Sequence, residues 1–488
     1  MSASKSNIII FNPDSWRGDV IAHLGNKAAH TPNLDNFIKN DAASFRNTFC
    51  QSQICTPSRC SFMTGWYPHV RGHRTMYHML QNDEPFLLKI LKDKNFYIWW
   101  GGKNDVIPAQ NGYSKYCDIK YISKNTISPN LHIDTSWRSK HYSDYYYSFY
   151  AGLLKSNADG IYYDNDWAMI DGAINFLNEY NINKPFCLYL PLTYPNPPYA
   201  VEPKWFELID SNKMPHRPIL SSLKNKPKIL SSIIKNQNLV NWGEEQWNQL
   251  RNIYYGMCSR VDEQFGLIIK ALKKNQLYDS SSIFFFSDHG DFTGDYGLVE
   301  KTQNTFEDCL TNVPLLIKPP SSIKIQPGIY EDLVELVDFT STVYDISSIN
   351  SNYDLFGKSL MPLITGKKQH HRKYVFCEGG RLYKEFQSID KDSTSFNNPT
   401  GLYYPRIKAQ SEENGSHTKA TMIRSKKYKY VHRLYENDEL YDLENDPHET
   451  KNTINIKNQK SIIEEMRYDL LNWYQETCDI VPYKSDKR

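Results

Sequence analysis

The chain has 488 residues, of which 40 % are hydrophobic, and its 57 basic and 55 acidic side chains leave a formal net charge of +2. That length and apolar content describe a globular protein with a large core, organised as two or three units or as one large domain with an appendage. The near-neutral balance gives no bulk electrostatic case for nucleic acid or an anionic membrane, and nine scattered cysteines without metal-finger spacing argue against a disulfide scaffold.

The amino terminus runs from Met1 to Asn7 straight into an apolar segment, which leaves no room for a signal peptide. The expected location is therefore cytoplasmic, or outside the cell if a leader has been removed. Ile8-Ile9-Ile10-Phe11 reads as a buried parallel strand ending at Asn12-Pro13-Asp14-Ser15, so Asp14 stands at a strand's carboxyl end. At Cys55-Thr56-Pro57-Ser58-Arg59, a proline two residues after a cysteine suits the first turn of a helix. The unpaired N–H groups of that turn attract anions, and Arg59 adds a planar, permanently charged fork.

Residues 111–150, rich in tyrosine, and 210–240, rich in Lys, Pro and Ser, read as long surface insertions bordering the mouth of a site. Helical patterns cover 166–180 and 244–273, and a strand is expected within 185–192. Another, Ser282-Ile283-Phe284-Phe285-Phe286, ends at Ser287-Asp288-His289-Gly290. Strands alternating with helices predict an α/β fold, a large, mostly parallel mixed sheet covered by helices on both faces, with ligands beyond the strands' carboxyl ends. Polar residues 366–373 read as a linker. Past it, short strands near 427–431 and 439–443 and a helix over 461–476 predict a smaller α+β subdomain, so that the boundaries fall at 1–372 and 373–488.

Cys55-x-Pro57-x-Arg59, followed by Thr64-Gly65, resembles the signature of the sulfatase family, whose fold is alkaline-phosphatase-like. The resemblance extends to Lys429-Tyr430-Val431 and Leu440-Tyr441-Asp442-Leu443, similar to that family's carboxyl-terminal subdomain with a small antiparallel sheet. It implies that a maturation enzyme oxidises Cys55 to formylglycine. One hydroxyl of the hydrated aldehyde would attack sulfur, and the other would let the ester collapse by eliminating sulfate. It also implies a divalent cation, calcium first and then manganese or magnesium, held by Asp14, Asp288, His289 and the residue at 55.

Lys301, in Gly294-Asp295-Tyr296-Gly297-Leu298-Val299-Glu300-Lys301, and Lys103, in Gly101-Gly102-Lys103, resemble the family's substrate-binding lysines; with Arg59 they would compensate a sulfate. Three positions depart from the pattern. Ser15 stands where a second acid is usual, and Asp105 and Asn196 stand where histidines are. His73 and His78, close behind the nucleophile helix, are the substitutes considered for the missing proton carrier. The resulting expectation is a sulfatase acting on a sulfated small molecule or carbohydrate. Ser15 and His289 keep a phosphonate monoester or phosphodiester hydrolase as the alternative, and Asp105 and Asn196 keep a catalytically silent binding protein. The oligomeric state is left open.

Overall fold

The computed structural model describes residues 6–125, 127–141, 143–220, 223–412 and 415–484. Its strands, in chain order, are β1 (Asn7–Asp14), β2 (Ala43–Phe49), β3 (Tyr97–Gly101), β4 (Ile119–Tyr121), β5 (Tyr150–Leu153), β6 (Phe186–Pro195), β7 (Tyr199–Val201), β8 (Ser281–Phe286), β9 (Leu315–Lys318) and β10 (Gly328–Glu335). β11 (Val375–Gly379), β12 (Ala420–Arg424), β13 (Tyr428–Arg433) and β14 (Glu439–Asp442) complete the set. Eight form one sheet in the order β10-β2-β9-β8-β1-β6-β3-β4. Only β9 runs antiparallel to its neighbours β2 and β8, so the sheet is mixed and mostly parallel, as expected.

Period-two alternation divides the apolar runs between two cores. Ile9, Phe11, Leu188, Leu190, Ile283 and Phe285 face one core, covered by helices Asn165–Glu179 and Glu244–Lys274. Ile8, Ile10, Tyr189, Phe284 and Phe286 face the other, covered by helices Cys55–Thr64 and Asp338–Ile346. Phe62 anchors the first of these helices edge-on against Phe286, with ring centroids 5.0 Å apart. Because β1 pairs in parallel with β6 on one side and β8 on the other, the carboxyl ends of three central strands open at one edge.

β11, β12, β13 and β14 form the separate antiparallel sheet. Ile463, Met466, Leu470 and Trp473 of helix Lys460–Thr477 are buried against it, and Trp473 stacks on Phe376 at 4.4 Å. Two expectations change here. The polar stretch 366–373 is no free tether, because His371 bonds Asp338 at 3.0 Å and Arg372 pairs with both Glu335 and Asp338, carboxylates with no exposed side-chain surface. Buried acids at the end of β10 demand cations, and the junction supplies them. Nor is 210–240 only loop: Lys228–Gln237 is a helix whose Ile229, Leu230 and Ile233 pack beside Phe292, while 221 and 222 lie outside the described residues. Among the described residues no helix is long and apolar enough to cross a membrane. All nine cysteines are free, eight of them buried.

Asp308 holds the small sheet to the large one through Arg424 at 2.9 Å and Lys429 at 2.6 Å. Burial would raise its carboxyl, but Arg424 and Lys429 hold it down to about 2. A depressed acid stabilises the fold above its unfolded value of 3.8, and that contribution is lost as pH falls toward about 2. It amounts to roughly 2 kcal/mol. Asp308→Asn should therefore lower urea stability by about that much near neutrality and show a vanishing difference from wild type near pH ~2. A constant difference across this window would count against the ion pairs as its source.

Candidate active site

Asp14 closes β1, and Asp288 follows β8 directly, so strand pairing alone brings the two carboxylates to the same edge. Cys55 opens helix Cys55–Thr64 above them and is 3 % exposed. One ligand atom from each of Asp14, Cys55, Asp288 and His289 lies within 4.8 Å of all the others. Cys55 Sγ sits 3.2 Å from His289 Nε2 and 3.7 Å from Asp14 Oδ1. His289 Nδ1 donates to the Gly290 carbonyl at 2.8 Å, which fixes the tautomer and leaves the Nε2 lone pair for the cluster. Burial and Lys301 hold its imidazole below the ordinary value, in the neutral form that can ligate.

Ser15 occupies the left-handed region at φ +66°. That turn costs a non-glycine residue about 1 kcal/mol, and here it carries the backbone across the site. Its amide donates to Asp288 Oδ1 at 3.2 Å, and its hydroxyl donates to Asp14 Oδ1 at 2.9 Å. Ser15 thus bonds both carboxylates where a second acid would add a charge.

Three cations, Arg59, Lys103 and Lys301, surround this pair of acids or adjoin it. Arg59, with no exposed surface, bonds Asp288 Oδ2 through Nε at 2.9 Å, Asp14 Oδ2 through Nη2 at 2.9 Å and Asn12 Oδ1 through Nη1 at 3.1 Å. Lys103 reaches Asp14 at 2.6 Å and Asp105 at 3.0 Å. Gly102, at φ +108°, makes that reach possible, because a Cβ there would stand 2.1 Å from the Pro191 carbonyl oxygen. Lys301 donates to Asn196 Oδ1 at 2.8 Å, and Asn196 also accepts from the Ser15 hydroxyl at 3.1 Å. Burial by itself would raise the Asp14 carboxyl, yet Lys103, Arg59, His289 and Lys301 hold it well below the usual carboxylate range. Burial and Asp14 push the Cys55 thiol far up, so an unmodified cysteine here stays protonated at neutral pH and is a poor nucleophile.

Two sequence candidates are not brought to this cluster. His73 is 6 % exposed and spends both ring nitrogens elsewhere, Nδ1 on the His78 carbonyl at 2.8 Å and Nε2 on Glu84 at 3.1 Å. His78 is half-buried among His73, Arg74, Asp390 and Asp392. Proximity in sequence misled here, since the chain after Gly65 leaves the strand ends and turns toward Glu84.

Other residues at the site drew no attention from sequence. Tyr199 bonds Asp291 Oδ1 at 2.5 Å and accepts from the Glu300 amide at 3.0 Å, which ties the loop bearing Lys301 to the one bearing Asp288. Asp291, three residues after Asp288, was the available signal. His132 lines a cavity with Asn196, and its side chain bonds that of Tyr403 at 3.2 Å. Nothing in their local sequence marks them.

A divalent cation is compatible with this donor set. Two carboxylate oxygens and a neutral imidazole nitrogen converge beside the position-55 side chain, and compensating cations already neutralise the buried acids. Comparison with known proteins agrees with the geometry. A family model described as Sulfatase matches residues 6–349. Arylsulfatase K of Gallus gallus is 26 % identical over 389 residues, covering 75 % of this chain and 68 % of its own. The choline-sulfatase of Rhizobium meliloti (strain 1021) is 25 % identical over 492 residues, 93 % of this chain and 83 % of its own. Among solved structures, the phosphonate monoester hydrolase of Agrobacterium radiobacter superposes with a TM-score of 0.75 at 19 % identity, covering 99 % of this chain and 100 % of its own.

Proposed function

The chain belongs to the sulfatase family and is a sulfuric ester hydrolase; on that premise we propose that it cleaves the S–O bond of a sulfated small molecule or carbohydrate with a formylglycine made from Cys55 by a maturation enzyme, and with one divalent cation. The observation that carries this reading is the convergence of Asp14, Cys55, Asp288 and His289 within 4.8 Å. Those residues would hold the ion, calcium before manganese or magnesium, and it would supply Lewis-acid polarisation of a sulfate oxygen. Oxidation of Cys55 would replace a protonated thiol with a hydrated aldehyde, whose two hydroxyls allow attack on sulfur and then elimination of sulfate.

The chain's own residues do the rest. Lys103 and Lys301 present ammonium groups to the sulfate oxygens from two sides, and Arg59 holds Asp14 and Asp288 in register by bonding both. Asn196 and Ser15 orient Lys301 and Asp14 by hydrogen bonds, so both stay aimed when substrate displaces water.

Two measurements test the reading. Intact mass of the Cys55 peptide from the native host should show the aldehyde, and metal analysis should find ~1 divalent ion per chain, falling below ~0.1 in Asp288→Asn and His289→Ala. An unmodified thiol with no bound ion would overturn it. Ser15, in place of a second acid, supports phosphonate monoester hydrolysis as the second reading. Turnover of an aryl sulfate set against an aryl phosphonate monoester decides between them, and a clear preference for phosphonate would displace the first. A panel of sulfated sugars, aryl sulfates and choline sulfate then identifies the alcohol.

A further inference from the structure

Expulsion of an alcohol needs a proton donor, and the positions where the family carries histidines hold Asp105 and Asn196. Lys103 pairs with the first, and Lys301 donates to the second. Neither His73 nor His78 reaches the site. Two segments far apart in sequence, the described residues 127–141 and 143–150 on one side and 395–404 on the other, meet instead beside Lys103 and Lys301. Arg138 donates to the Thr400 carbonyl at 2.5 Å, Tyr147 to that of Pro399, and Phe149 packs on Tyr403 at 5.5 Å.

These segments carry two imidazoles; His141 packs edge-on against Tyr146 with ring centroids 4.6 Å apart, and His132 is the one that lines a cavity with Asn196. Trp137 pins the Leu131 carbonyl at 2.8 Å, the His132 amide donates to Asn130 Oδ1 at 2.9 Å, and the His132 ring lies 21° from the plane of Tyr403. His132, Thr193, Tyr194 and Asn196 line one cavity, and Asn196 is the partner of Lys301. From this geometry, and resting on the sulfatase reading, we infer that His132 is the catalytic residue that donates a proton to the departing alcohol, with Tyr403 as the positioning residue that sets its tautomer.

The hydrogen bonding specifies which nitrogen acts. In the inferred arrangement Tyr403, whose hydroxyl burial raises to about 12, donates to Nδ1 across the 3.2 Å bond, and the imidazole's own proton then sits on Nε2. Burial, Lys103 and Lys301 lower His132 to about 4, so it works as a neutral N–H donor. A neutral imidazole held so by its surroundings is a known electrophilic catalyst in other folds. As the S–O bond breaks, its electron pair goes to the leaving oxygen, which takes the Nε2 proton. Nδ1 takes the Tyr403 proton, and the phenolate, facing Lys301 and Arg406, recovers one from water.

The test is a series of aryl sulfates from dinitrophenyl to unsubstituted phenyl, assayed on mature metal-loaded enzyme. A dinitrophenolate leaves without a proton, whereas phenolate benefits from one. Wild-type turnover of the series establishes the ester class independently of His132. His132→Ala should lose about 10²-fold in kcat on phenyl sulfate and under about 3-fold on the dinitrophenyl ester, steepening the leaving-group dependence. Tyr403→Phe should give an intermediate slope with KM unchanged. His132→Gln, which keeps an N–H, should recover part of the loss and guards against a variant that folds poorly. Slopes parallel to wild type in both His132 variants would overturn the assignment, because a merely structural residue lowers all esters alike.

Discussion

Cys55→Ala is expected to reduce kcat/KM on any sulfate ester by about 10⁴-fold or more, with little change in thermal stability. The side chain's recorded polar contacts are the 3.2 Å and 3.7 Å approaches to His289 and Asp14, and neither depends on sulfur for its own anchoring. His289 is held by the Gly290 carbonyl, and Asp14 by Arg59, Lys103 and Ser15. Removing one atom from this network should therefore leave the fold and the placement of Asp14, Asp288 and His289 intact while deleting the nucleophile and its share of the ion's coordination. Cys55→Ser should be nearly as inactive over repeated turnovers, because a serine ester has no second hydroxyl through which to collapse. Purified variants with wild-type melting temperatures, assayed at saturating divalent cation, make the comparison clean. Turnover above about one per cent of wild type in Cys55→Ala would remove position 55 from the nucleophilic role.

Arg59→Ala should cost about 3–5 kcal/mol of stability in the metal-free protein. Its guanidinium spans Asp14 and Asp288 with three bonds to carboxylate and amide oxygens, and all three side chains are without solvent exposure. Alanine would leave two buried carboxylates facing one another with Lys103 as the only ammonium bonded to either of them among the described residues. The attraction lost is small beside the desolvation left uncompensated, which is why breaking such a pair costs more than forming it gains. Arg59→Lys should recover only part of the loss, since an ammonium is a point charge and cannot grip both acids and Asn12 in one plane. Urea denaturation of chelator-treated protein measures this, and a loss below about 1 kcal/mol in Arg59→Ala would show that the acids are neutralised by other groups.

The fold was legible where local physics left one choice. Uninterrupted apolar runs such as Ile8–Phe11 and Ser282–Phe286 must be buried on both faces, and they became the sheet's centre. The long helix over 244–274 and the terminal helix over 460–477 announced themselves by periodicity. Strands β2 and β3 escaped notice: Ala43–Phe49 carries Arg46 and Asn47, and β3 is only five residues long. The stretch 366–373 read as a linker because its charge is high, and charge alone does not say whether a partner waits at the end of β10.

For the candidate site, the resemblance carried by Cys55-x-Pro57-x-Arg59 and by the strand-end acids singled out Cys55, Arg59 and the Asp14, Asp288 and His289 that the structure brings together, because each falls in a motif local to a strand end or a helix start. Tertiary structure decided which histidine lines a cavity with Asn196. His73 is eighteen positions from Cys55 and is turned away onto Glu84, whereas His132, in an insertion without motif, is carried in by its contact with Tyr403, 271 positions later. A hydrogen bond across that separation leaves no trace in local composition or periodicity. It exists only once the packing of two distant segments has placed both rings together.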